Sequence, residues 1–329
     1  LFRSEELGAV RPAAPGGEAL SLPVRVAGGA GASVVTLDLG RTEAGYFTLE
    51  VTGPAGAVID VLCTELLVDG RVPIPGNARV HTNRFILRDG RQVLRLAFNW
   101  LAFRFAQLWI WTPGPLEIHD AVLQRLELPM GTAGHFRCSD DFLDRLDGIC
   151  EHTLRLCSQD GVLDSSSREQ QQWIGDGRFT AITLQHRFDA AVLHRRLIDQ
   201  VGQGIDWMGS MVPRFPTGNV NVSPIPLYAL QWVLAFQDYE RFTGDASLLA
   251  DWRLMIPHVL RWFTAFERAD GLLERVPHWM YIDLGEGSPG RIPSVGVVNT
   301  TLNLYYLAAL RYASVALAPS EPGTAAGLA

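Results

Sequence analysis

The chain contains no lysine: all 28 of its basic residues are arginine, in a sequence of 329. With 32 glycines alongside, that bias reads as a coding habit and carries no mechanism. Positive charge is also in the minority, for the net charge is −7, which argues against nucleic acid or an anionic membrane surface as partner. Long apolar runs are missing, and no stretch reaches the length that a membrane span needs. Cysteine is scarce. Cys63, Cys138, Cys150 and Cys157 match no zinc spacing, and the expectation is small buried apolar side chains in a reducing compartment. No secretory leader is visible and the chain begins without Met, so a cytoplasmic setting is only weakly favoured. What remains is 47% hydrophobic and 19% charged, the composition of an ordinary globular protein long enough for two domains.

Two textures divide the chain. Residues 1–20 are rich in Pro, Gly and Ala and are expected to be irregular. Residues 21–128 read as an antiparallel, jelly-roll-like β-sandwich. "SVVTLDLG" and "YFTLEVTG" alternate apolar and polar residues, and "AVIDVLCTEL", "TNRFILRDG", "QVLRLAFN" and "FRFAQLWIW" follow between turn residues. "GGAGAS" at 28–33 has no helix after it and is expected to be a turn before a strand rather than a phosphate loop. Trp100, Trp109 and Trp111 fall on what reads as the last strand.

Residues 129–329 read as αα-hairpins. A helix capped by Ser139 and running to about Ser158 is expected to carry Phe142, Leu146, Ile149 and Leu156 on one face. Further helices are expected near 176–188, 190–208, 226–243, 246–268 and 297–317, with Gly244 ending one and Asp245 capping the next. "LYALQWVLAFQDYERF" and "TTLNLYYLAALRY" share a rhythm that suits equivalent helices of a repeated array.

Between the first two helices lies "DSSSREQQQWIGDG", Asp164 to Gly177, which is far richer in acids and amides than a connector requires. Singly, each group has an ordinary explanation: Asp176 as a helix cap, Asp164 as an Asx turn, Arg168 and Glu169 as a surface pair. Together they suit a sugar. A Trp face packs against the C–H side of a pyranose ring, while Asp, Arg and Gln take its hydroxyls. A carboxylic acid against such a wall can hold a proton at neutral pH and act as general acid, and Glu169 is the candidate.

Asp164, Arg168, Glu169, Trp173, Gly175 and Asp176 form a pattern that resembles the signature of the bacterial inverting α-L-rhamnosidases. "LDLGRTEAGYFTLEVTGPAG", "LAFNWLAFRFAQL", "GSMVPRFP" and "ERADGLLERVPHW" extend the resemblance over roughly residues 30 to 317. It implies a β-sandwich followed by a six-hairpin α/α barrel, of which this chain holds about half. It implies release of terminal α-L-rhamnose from a glycoside with inversion, and it calls for no cofactor or metal. Glu169 would be the general acid, and Asp164, Arg168, Trp173 and Asp176 would hold the sugar. Tyr228 keeps the aromatic of an "I-P-D-aromatic" stretch whose acid is here Leu227. Trp279 lies in "PHWMYID", a second sugar-facing loop that also contains His278 and Asp283. The family's base is a Glu far downstream. Glu267, Glu274 and Glu286 match no such motif, so the chain reads as truncated and the base as missing. Another six-hairpin glycosidase, a phosphorylase and a non-catalytic carbohydrate-binding protein remain alternatives.

Overall fold

The computed structural model describes residues 3–6, 11–13, 22–73, 81–217, 222–281 and 298–329, arranged as two compact units. The first unit comprises Leu1–Pro129, Ile149–Asp160 and Ser165–Gln170, and the second comprises Met130–Gly148, Gly161–Asp164 and Gln171–Ala329.

Among the described residues the first unit is built on nine antiparallel strands: β1 (Arg3–Glu6), β2 (Arg11–Ala13), β3 (Val24–Val26), β4 (Ser33–Gly53), β5 (Val58–Thr64), β6 (His81–Ile86), β7 (Gly90–Arg95), β8 (Leu101–Trp111) and β9 (Leu116–Glu127). β1 and β2 lie within the stretch expected to be irregular. The two runs expected as separate strands, "SVVTLDLG" and "YFTLEVTG", are one 21-residue strand, β4. Its first part pairs with β2 and β8, and its second part with β7 and β9. The change comes at Asp38–Glu43, where the β8 register shifts. Gly40 sits there at φ +82, a conformation suited to glycine, and its N–H donates to Asp38 Oδ1 at 2.8 Å. β4 thus continues through a bend that a sequence reading takes for a turn. Phe47, Phe103, Ile59, Leu108, Ile110, Leu116 and Ile118 from the inward faces share one core. Trp109 and Trp111 lie on the penultimate strand, since β9 follows.

Among the described residues eight helices follow: α1 (Asp141–Leu156), α2 (Ile174–Arg187), α3 (Ala191–Gly202), α4 (Pro226–Thr243), α5 (Ser247–Trp252), α6 (Met255–Thr264), α7 (Thr300–Leu317) and α8 (Pro322–Leu328). α1 is capped by Asp140, not Ser139, through Phe142 N–H to Asp140 Oδ1 at 2.8 Å. Of its expected apolar face only Leu156 is buried, against Ala44 and Ala102; Phe142, Leu146 and Ile149 stay exposed. Charge, not that stripe, fixes its last turns. Arg155 donates to Glu127 at 2.7 Å and to Glu151 at 3.0 Å, and His152 Nε2 lies 2.7 Å from the Thr42 carbonyl. The helix expected over 246–268 is two helices, because Pro257 has no N–H to donate and is accommodated only in a helix's first turn. Gly244 ends α4 at φ +68 as the sequence suggests, whereas the N-cap of α5 is Ala246, and Asp245 just before it takes the Ser247 N–H on Oδ1 at 2.8 Å.

In the second unit α4 is the hub, packed against α2, α3, α6 and α7. Pro226 starts it where an N–H is dispensable, and it is buried on nearly every side. Two of the four cysteines, Cys63 and Cys157, are buried as expected; Cys138 and Cys150 are exposed, and none of the four is in a disulfide bond. No helix among the described residues is long and apolar enough to cross a membrane.

Candidate functional site

The polar stretch 164–177 is pinched at its base. Asp164 N–H donates to the Gln171 carbonyl at 3.0 Å, and Gln171 N–H returns to Asp164 Oδ1 at 2.8 Å. The residues between form a tight turn that belongs to the first unit. Within it Glu169 N–H donates to Ser165 Oγ at 3.1 Å, Gln170 Nε2 to the Ser166 carbonyl at 2.8 Å, and Ser167 Oγ to Glu65 at 2.7 Å. Arg168 Nη2 meets Glu169 Oε1 at 2.6 Å, with the arginine largely exposed and the glutamate half-buried.

The second unit places the other expected residues. After Gln171 the chain turns into α2, whose first N–H, that of Ile174, donates to the Pro213 carbonyl at 3.1 Å. Trp173 is the N-cap residue and caps nothing with its side chain. Asp176 stands in the first turn, where the helix dipole favours an acid. Asp164 and, on α2, Gly175, Asp176, Phe179 and Thr180 line a cavity of about 400 Å³ together with Leu227, Tyr228 and Gln231 of α4. Small-molecule sites fall in this range, roughly 300–1,000 Å³. Gly175 is obligatory, for a Cβ there would run into the Tyr228 ring.

Beside the cavity four aromatic rings meet edge to face. Trp173 lies 6.3 Å from both Tyr228 and Trp279, and Tyr281 lies 6.4 Å from Tyr228 and 4.9 Å from Trp279. The Arg214 guanidinium sits 4.8 Å from the Trp173 ring centre. The second unit thus brings Asp164, Asp176 and Tyr228 to one cavity, joins Trp173 to it through the Tyr228 ring, and joins Trp279 through Trp173 and Tyr281. Arg168 and Glu169 are brought to each other in the first unit. His278 is exposed and stacks on Trp262. Asp283 and Glu286 lie outside the described residues. Glu267 accepts from Tyr306 Oη at 2.6 Å, and Glu274 faces Arg268 at 3.8 Å. Neither lines the cavity.

Phe179, Thr180, Gln231, Arg214 and Tyr281 escaped the sequence reading. Phe179 and Thr180 carried a usable signal, being three and four residues after Asp176 and so on its side of the helix. Gln231 carried one too, as an amide inside the apolar run "LYALQWVLAF".

Comparison with known proteins adds two matched family models. Residues 131–318 match the bacterial alpha-L-rhamnosidase 6 hairpin glycosidase domain, and residues 30–124 match the bacterial alpha-L-rhamnosidase concanavalin-like domain. A curated alpha-L-rhamnosidase of Formosa agariphila is 26% identical over 175 residues, which is 50% of this chain and 18% of that protein. The GH78 family rhamnosidase of Bacillus sp. GL1 superposes with TM-score 0.83 at 27% identity, over 94% of this chain and 32% of that one. The rhamnosidase of Klebsiella oxytoca, solved with rhamnose bound, superposes with TM-score 0.82 at 16% identity, over 100% of this chain and 68% of that one, a likeness of fold. The chain therefore spans less than a third of the curated relative and about a third of the Bacillus enzyme.

Proposed function

Because this chain belongs to the bacterial α-L-rhamnosidase family, we propose that it carries the sugar-holding and proton-donating part of a glycosidase that releases terminal α-L-rhamnose with inversion. The observation behind this reading is the cavity between α2 and α4, with two carboxylates on one side and an aromatic wall on the other. Asp164 and Asp176 accept hydrogen bonds from the sugar hydroxyls, and the Tyr228 ring edge with Trp173 and Trp279 behind it covers the apolar face of the ring. Arg168 supplies a further donor to the hydroxyls. Glu169 protonates the departing glycosidic oxygen as its bond to the anomeric carbon breaks.

Inversion also needs a carboxylate on the opposite face of the sugar, roughly 6.5–9.5 Å from the acid, to take a proton from the attacking water. Glu267 and Glu274 are engaged elsewhere, as their partners above show. We assign the base to the part of the relatives' architecture that this chain does not match, consistent with its covering 32% of the Bacillus enzyme. Residues 1–329 alone would then bind rhamnose without turning a rhamnoside over.

The test is Glu169→Gln in the intact hydrolase, which keeps the side chain's shape and removes the transferable proton. Hydrolysis of a natural rhamnoside should slow by ~10²–10⁴-fold. An aryl rhamnoside, whose leaving group needs little protonation, should lose much less. Equal losses on the two substrates would rule out Glu169 as the acid.

A further inference from the structure

One side chain at the cavity is unaccounted for by the proposed reaction. Gln231 lies one turn after Leu227 and three residues after Tyr228, so the three share one side of α4, and all three line the cavity. Gln231 is 5% exposed, and its Oε1 accepts no hydrogen bond among the described residues. Nine in ten or more buried polar groups are paired, and an orphan destabilises the fold that holds it. The helix does not need an amide here. Its neighbours Leu227, Leu230, Trp232 and Val233 are buried and apolar, so a leucine would serve packing as well. The last torsion of a glutamine side chain is soft, and a half-turn exchanges its oxygen and nitrogen. The orphaned end can therefore be swung towards the cavity at little cost.

We propose that Gln231 is a specificity-determining residue of this cavity, whose amide oxygen accepts a hydrogen bond from one hydroxyl of the bound sugar. The inference rests on the sugar-binding reading above and names a contact that reading does not supply. Asp164 and Asp176 accept from the α2 side of the cavity, and Gln231 accepts from the α4 side, where Leu227 and Tyr228 offer apolar surface. A sugar lacking the matching hydroxyl would leave the oxygen orphaned. Sites built to hydrogen-bond a hydroxyl discriminate strongly for that reason.

The experiment is calorimetric titration of residues 1–329 with L-rhamnose and with its 2-, 3- and 4-deoxy derivatives, comparing wild type, Gln231→Leu and Gln231→Glu. Gln231→Leu should weaken L-rhamnose binding by about 10–100-fold, the loss of one buried acceptor. One of the three deoxy sugars should bind wild type and Gln231→Leu equally, because the partner hydroxyl is already gone. Gln231→Glu, which keeps an acceptor in place, should retain most of the affinity. Thermal unfolding should show Gln231→Leu at least as stable as wild type. Undiminished rhamnose binding by Gln231→Leu would overturn the inference, and so would the same loss towards all four sugars, which is the mark of a structural role. Either result leaves the sugar-binding reading standing. Absence of L-rhamnose binding by the wild type overturns that reading and this inference with it.

Discussion

His194 is 1% exposed on α3, with its ring edge-on to Tyr239 and its Nδ1 3.4 Å from Gln185 Nε2. Burial is the main reason that its pKa falls from 6.5 to about 4, with the Arg178 charge pushing the same way and Asp238 opposing. The folded chain therefore keeps this ring neutral where the unfolded chain would protonate it. Stability is undiminished above about pH 6.5 and is lost as pH falls towards 4. The loss comes to about 3 kcal/mol, since each tenfold drop in proton affinity is worth ~1.4 kcal/mol. His194→Leu should lie below wild type in melting temperature at pH 7.5 and draw level with it or pass it at pH 5. A gap that is the same at both pH values would contradict the assignment. Residues differ in how legible they were. Asp164 and Trp173 could be picked out because their motif is local in sequence, and Tyr228 because the family resemblance extends to its stretch. His194 could not be singled out, since what distinguishes it is a buried Nε2 without a partner, which only packing reveals.

At the scale of elements, α2 and α4 are held together by Arg178 and Asp238, whose Nε and Oδ2 are 2.6 Å apart, with side chains 12% and 10% exposed. Because these helices carry the two sides of the cavity, the pair sets its width. Arg178→Met alone should cost about 3–5 kcal/mol, because Asp238 would be left charged and buried. Arg178→Met with Asp238→Leu should recover most of the loss in urea unfolding. If the double variant is as unstable as the single one, the aspartate was never the source of the cost. Element type was readable from periodicity, and the end of α4 from Gly244. Two features resisted. β4 hides its bend in a run that reads as a turn, and α5 and α6 share one apolar pattern that only the missing N–H of Pro257 divides.

For the whole molecule, the second unit exposes several large apolar side chains. Phe142 on α1 is 61% exposed and Val315 on α7 is 76% exposed, and Leu146 and Leu304 are exposed too. Exposed apolar surface favours association. Sedimentation velocity on residues 1–329 should show mass rising with concentration, and serine at Phe142, Leu146, Leu304 and Val315 together should suppress the rise. A wild-type chain that stays monomeric at high concentration would refute this. The amphipathic stripe on α1 was correctly seen in the sequence, but a stripe states only that a face suits burial, not that a cover is at hand. The order of sheet and helices was legible for a different reason, because hydrophobic period changes from two to 3.6 along the chain.

The long strand β4 also bears on synthesis. A nascent chain presents Ser33–Gly53 well before its principal partners exist, since β8 and β9 are complete only at Trp111 and Glu127. At roughly 5–20 residues per second, β4 spends about ten seconds outside the ribosome or in its exit tunnel without them. During that interval its apolar alternation is available to any other unpaired strand, including one on a neighbouring polysome. The charges at Asp38, Arg41, Glu43 and Glu50 interrupt that alternation and so act as gatekeepers during translation, before Asp38 and Glu50 can meet Arg104 and Arg91 in the finished sheet.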